Sequence, residues 1–159
     1  MENFYNHLFV MLALTLLVSF NAGAQVNRDT ANANASRQEA PGGDFIMGNS
    51  SVTRLPQVPG MNCGVSTVSF QPGARTRWHA HAGGQVIVVT MGTAYYQEKG
   101  KPRQILRQGE AIICPPNTPH WHGATPDGAM THVVATPNLD KGGVTSFEHV
   151  TEEEYKRAN

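Results

Sequence analysis

The chain is poor in charge, and neither sign is in surplus. Only 15% of its 159 residues are Asp, Glu, Lys or Arg, 12 basic against 12 acidic. That removes the electrostatic basis for binding nucleic acid or an anionic membrane surface. Cysteine is scarce: Cys63 and Cys114 are the only two. As an even pair they could form a disulfide in an oxidising compartment, but nothing in the sequence brings them together. Each lies in a stretch that reads as strand, where a small apolar thiol packs without a partner. Long hydrophobic runs are missing too. The longest, residues 8–20 (LFVMLALTLLVSF), is shorter than the roughly 20 residues a spanning helix needs. No stretch keeps a helical period for long, because 16 Gly and 10 Pro cut the chain into short segments. An all-helical bundle is thereby excluded, and strands joined by turns are favoured.

The short apolar run is followed by Asn21-Ala22-Gly23-Ala24, whose Ala-x-Ala form is that of a signal-peptide cleavage site. We therefore expect residues 1–24 to be a signal peptide and the mature chain to be exported, periplasmic or secreted. The missing feature is a basic start, since no Lys or Arg precedes Arg28. Residues 25–44 are small and polar with no hydrophobic period, the composition of a flexible arm. Residues 45–159 form one domain of a size that can bury its own core.

From Phe45 onward, short alternating segments are separated by turn chemistry such as Gln71-Pro72-Gly73, Met91-Gly92 and Pro126-Asp127-Gly128. Strands are expected over 64–70, 85–90, 93–97, 103–106, 111–114, 120–124, 130–136 and 144–150. About eight strands at hairpin spacing imply an all-β sandwich or barrel. Near the end, Thr151-Glu152-Glu153-Glu154 has the Thr-x-x-Glu form of a capping box and should open a short C-terminal helix.

The chemistry gathers in the histidines. Five of the seven fall between residues 79 and 132. His79 and His81 are two apart, so on a strand both imidazoles leave the same face, and His120 and His122 repeat the arrangement. An isolated His-x-His is ordinarily a pair of surface residues. Here turns lead from His81 to Gln85 and into His120, so nitrogen and oxygen ligands can converge on one divalent metal. Trp78 and Trp121 adjoin these histidines and should point to the opposite face as packing residues. His149 lies apart and reads as surface.

Two spaced motifs carry a resemblance. Gly73, five residues, His79-Ala80-His81, three residues, Gln85, six residues and Gly92 resemble the first cupin motif. Gly109, five residues, Pro115, then Asn117, two residues and His120 resemble the second. Asn117 stands where the family usually has Gly and can adopt the same left-handed backbone. The resemblance implies the cupin double-stranded β-helix, a small jelly-roll barrel, with His79, His81, position 85 and His120 holding one metal inside it. The departure is Gln85, where the family usually has Glu. A neutral amide leaves the full +2 charge on the metal and raises its Lewis acidity.

With Gln85 included, and with His122 and His132 matching two further pocket histidines, the pattern resembles small bacterial manganese-dependent cupin hydroxynitrile lyases. Such enzymes cleave cyanohydrins to an aldehyde and cyanide, and run in reverse. The resemblance implies His122 or His132 as the base that takes the substrate's hydroxyl proton; the alternative for each is a packed residue that orients a ligand. Ser66 and Val68, on a strand facing the pocket, would tune substrate fit. Manganese is the metal the resemblance implies, while ligand identity leaves iron, nickel and zinc open. Two other functions remain compatible: a metal-dependent cupin oxygenase acting on a small aromatic or diketone substrate, and a non-catalytic small-molecule-binding cupin. A small-molecule substrate is expected, with no nucleic acid and no stable membrane association, and the barrel's edge strands suggest a homodimer or higher homo-oligomer.

Overall fold

The computed structural model describes residues 36–38 and 44–157. The expected signal peptide and most of the expected arm lie outside the described residues. Among the described residues the elements are β1 (Ser36–Gln38), β2 (Ile46–Met47), β3 (Ser50–Arg54), β4 (Cys63–Phe70), β5 (Arg75–Thr76), β6 (His79–His81), β7 (Gln85–Met91), β8 (Thr93–Glu98), β9 (Gln104–Arg107), β10 (Ala111–Cys114), β11 (His120–Ala124), β12 (Met130–Pro137), β13 (Val144–Ser146) and one helix, α1 (Glu152–Lys156). β1 falls within the expected arm and pairs with β3.

The strands form two antiparallel sheets. The first runs β1-β3-β4-β12-β7-β10. In the second, β11 is central, with β8 and then β9 on one side and β5 and β6 sharing the other, β2 beyond β5 and β13 beyond β6. Alternation decides which side chains face inward. Buried and half-exposed residues alternate along β7, β8 and β12, as a two-residue period on a curled sheet requires. Phe70, Ile87, Val89, Tyr96 and Met130 fill the barrel in this way. Each such large side chain contributes on the order of 1.5–3 kcal/mol on burial. Together the two sheets curl into the expected all-β cupin barrel.

The second sheet is covered on its outside as well. Trp78, Trp121, Val150 and Tyr155 make a separate apolar cluster with Tyr95 and Phe147, so both tryptophans are packing residues as expected. α1 anchors this cover. Thr151 caps it, accepting from the Glu154 N–H at 3.1 Å while the Glu154 carboxylate accepts from the Thr151 N–H at 2.9 Å. The Tyr155 hydroxyl then donates to the Ala124 carbonyl at 2.9 Å. All five residues of β11 are buried in consequence, which fixes the strand that carries His120 and His122. Gly123 is required there: a Cβ would meet the Ala74 carbonyl at 2.5 Å and the Arg75 Cα at 2.6 Å.

Several expected boundaries shift. The strand expected over 144–150 ends at Ser146, because Phe147 and Val150 turn in to the outer cluster instead of alternating. β9 begins one residue late, at Gln104. Residues 45–62, to which no strand was assigned, contain β2 and β3. Cys63 and Cys114 are free thiols. The His149 side chain is 42% exposed and pairs with Asp44 at 3.5 Å. No helix among the described residues is long and apolar enough to cross a membrane.

Candidate active site

β6 and β11 are neighbours with His79 opposite His120, so their rings lie 4.2 Å apart, centroid to centroid. Two residues along each strand stand His81, 5.1 Å from His79, and His122, 5.9 Å from His120. Gln85 opens β7, and its amide oxygen lies 3.1 Å from His120 Nε2. The turn before His120 needs a left-handed residue, and Asn117 supplies it with φ of 58°. From the first sheet, β12 sends His132 inward, 4.8 Å from His122. Five imidazoles and one amide thus converge inside the barrel.

Hydrogen bonds set which nitrogen each ring presents. His79 Nδ1 lies 3.0 Å from the Arg77 carbonyl, and His120 Nδ1 lies 2.9 Å from the Thr118 carbonyl. A carbonyl only accepts, so both Nδ1 atoms carry the proton and both Nε2 lone pairs are free. His120 Nε2 and Gln85 Oε1 are then two acceptors facing each other, an arrangement that a cation between them relieves. His81 Nε2 and His122 Nε2 are buried without a hydrogen-bond partner. Donor nitrogens of His79, His120 and His122 all fall within 4.8 Å of one another. Uncommitted imidazole nitrogens beside an amide oxygen fit a divalent metal. Of the four ligands expected from sequence, His79 and His120 belong to this close group and Gln85 touches His120, whereas His81 falls outside it and His122 stands within it.

Burial keeps the cluster neutral. It lowers His81 and His132 to about 4, lowers His120, and pushes His79 and His122 well below the usual imidazole value. Desolvation is the largest cause in each. Neighbouring imidazoles add to it at His79, His81 and His122. Lone pairs are therefore available at neutral pH, as metal ligation requires. Desolvation thus moves His122 and His132 down from the ordinary imidazole value near 6.5.

The cluster opens onto a cavity of about 260 Å³. His79, His81 and His122 line it from the second sheet, and Val52, Val68, Phe70 and Val134, with Gln85 at the start of β7, line it from the first. Ser66 and Val68 line it, where the sequence placed them, whereas His120 and His132 stand behind the lining. His132 Nε2 lies 3.0 Å from His122 Nδ1, so the two rings form a hydrogen-bonded pair with His122 on the cavity side. Sequence reasoning missed Phe45, Val52, Arg54, Val134 and Thr136. The last two share the inward parity of His132 and were within reach of the two-residue period. Val52 and Arg54 belong to β3, hidden because Ser50-Ser51 reads as part of a turn.

A cupin-domain family pattern matches residues 66–136. The chain is also 40% identical over 116 residues to an (R)-mandelonitrile lyase from Granulicella tundricola, spanning 72% of this chain and 88% of that protein. The chain belongs to the cupin family. Among solved structures, this cupin is similar to a cupin-like protein from Thermotoga maritima, with 42% identity, a TM-score of 0.71, and 77% of this chain and 92% of that one covered. A polyketide cyclase, RemF from Streptomyces resistomycificus, shares the fold at 18% identity and a TM-score of 0.61, over 78% of this chain and 87% of that one.

Proposed function

We propose that this cupin is a metal-dependent hydroxynitrile lyase, cleaving a cyanohydrin to an aldehyde and hydrogen cyanide and forming it in reverse. The observation that carries the reading is the converging set of uncommitted imidazole nitrogens on an apolar cavity, in a chain 40% identical to a mandelonitrile lyase. His79, His81, Gln85 and His120 would hold the metal, manganese first among the candidates with iron, nickel and zinc as alternatives. When bound, the metal supplies Lewis acidity that favours ionisation of the substrate hydroxyl.

The chain's own residues do the rest. Val52, Val68, Phe70 and Val134 pack the organic part of the substrate and keep water away. His122 Nε2, buried and unpartnered, takes the hydroxyl proton. The carbon–carbon bond then breaks, the oxygen lone pair forms the aldehyde carbonyl, and the bonding pair leaves with cyanide. His132, paired through His122 Nδ1, orients that ring and shares its positive charge. An imidazolium disfavoured by burial releases its proton readily, so His122 returns it to cyanide and the site is reset.

The same reading takes the mature protein as exported, on the strength of residues 8–24. N-terminal sequencing of the exported chain checks it, with Gln25 as the expected first residue. The activity is tested by metal analysis together with mandelonitrile cleavage, in the wild type and in His120→Ala. Stoichiometric metal and cleavage lost in the variant are expected. Bound metal without cleavage overturns the lyase reading.

A further inference from the structure

Behind His120 stands a carboxylate that the proposed reaction does not use. β8 alternates so that Ala94, Tyr96 and Glu98 are its buried positions. Pairing sets Glu98 opposite His120, which is in turn opposite His79. Glu98 is 7% exposed, the one acidic side chain buried among the described residues. One of its oxygens meets Lys101 Nζ at 2.5 Å. The other accepts from the Tyr96 hydroxyl at 3.3 Å.

Tyr96 connects this carboxylate to the site. Its hydroxyl is also a hydrogen-bond neighbour of the Cys114 thiol, and Cys114 Sγ lies 3.0 Å from His120 Nδ1. The directions of donation follow from the two ends. His120 Nδ1–H faces the sulfur as well as the Thr118 carbonyl, and the tyrosine O–H donates to Glu98, so the tyrosine oxygen is the acceptor left for the thiol. Each donor then points toward the carboxylate, the arrangement in which successive hydrogen bonds polarise one another.

A carboxylate taken out of water needs positive charge to repay its desolvation. Lys101, itself 62% exposed, supplies part of it from the surface, whereas the imidazoles on the inner side are neutral. The field of Glu98 favours positive charge at His120. The expected ligands bring no negative charge of their own, because Gln85 is an amide. We propose that Glu98, acting through Tyr96 and Cys114, is a positioning residue for the metal site: it holds the His120 ring with Nε2 turned inward and lends the site the negative charge that Gln85 does not bring. This inference rests on the metal-binding part of the proposed function and is independent of the reaction that the metal serves.

The test is the affinity of the full chain for manganese, iron, nickel and zinc, by equilibrium dialysis, in the wild type, Glu98→Gln, Tyr96→Phe and Lys101→Gln, with thermal scans of each metal-free protein. Glu98→Gln keeps an acceptor for Tyr96 and removes only the charge, so affinity should fall by roughly 10- to 100-fold, as loss of a ligand's outer partner does. Tyr96→Phe cuts the chain and should weaken binding in the same direction. Lys101→Gln breaks the same ion pair from its cationic side, so affinity should hold or rise. A merely structural ion pair gives a different pattern: Glu98→Gln and Lys101→Gln then lower the metal-free Tm alike and leave metal affinity unchanged, which overturns the proposal. If Glu98→Gln does not fold, Tyr96→Phe decides, and unweakened binding there is contrary. A wild type that binds none of the four ions overturns the metal reading itself and the proposal with it.

Discussion

The two walls of the cavity are made of the same alternating strands and carry opposite chemistry. On the β6 and β11 side, successive inward positions are His79, His81, His120 and His122. On the β3, β4 and β12 side, Val52, Val68, Phe70 and Val134 take the same inward positions. Backbone geometry is alike on the two walls, so the difference lies in side-chain type alone. One wall offers lone pairs, and the other offers shape. His132 and Gln85 cross between them: both stand on strands of the first sheet, yet His132 lies 3.0 Å from His122 and Gln85 lies 3.1 Å from His120. On the proposed function, substitutions on the first wall should abolish the reaction, while those on the second should redirect it.

The largest effect is expected at His120. His120→Ala should lower metal affinity by more than the ~100-fold that losing a neighbour of a ligand costs, with cleavage lost; equilibrium dialysis and a benzaldehyde-release assay check both. His122→Ala should slow cleavage by roughly 10²- to 10⁴-fold, as removal of a general base does, while metal content stays at wild-type level. If metal is lost in His122→Ala and kept in His81→Ala, the donor set is His79, His120 and His122 instead, and the comparison within the first wall is redrawn.

Acid should act on the histidine wall selectively. His81 and His132 have pKa values lowered to about 4 in the folded protein against about 6.5 in an unfolded chain. As pH falls from about 6.5 towards 4, the unfolded state takes up protons that the folded state refuses, and stability declines. Protonation of the ligands also competes with metal. Metal release and a falling Tm over that window are expected, read by a chelating dye and thermal scans.

The smallest effect is expected on the apolar wall. Val68→Ala should leave metal content unchanged and shift the kcat/KM ratio between aromatic and small aliphatic cyanohydrins by about tenfold, the scale of a few methylenes in a pocket.

Much of the first wall was legible in the sequence. His-x-His at 79 and 120 fixes side-chain direction on any strand, and the intervening spacings returned both pairs and Gln85 to one place. Asn117 also told its φ in advance, because a left-handed turn accepts few other residues. The second wall was half legible: Ser66 and Val68 followed from parity, but Val52 and Arg54 did not, since a five-residue strand opening with two serines carries too little hydrophobic signal. The tail beyond Ser146 was misread because Phe147 and Val150 look like strand residues until the outer tryptophans show where they go. Tautomers and unpartnered nitrogens have no sequence signature at all. They depend on which carbonyl happens to face each ring.

The most direct test of the account is mandelonitrile cleavage by the full protein before chelation, after chelation, and after manganese, iron, nickel or zinc is restored in turn, with and without oxygen. The account predicts activity that vanishes with the metal, returns with at least one of the four ions, and does not depend on oxygen. Cleavage that survives complete removal of metal would contradict it.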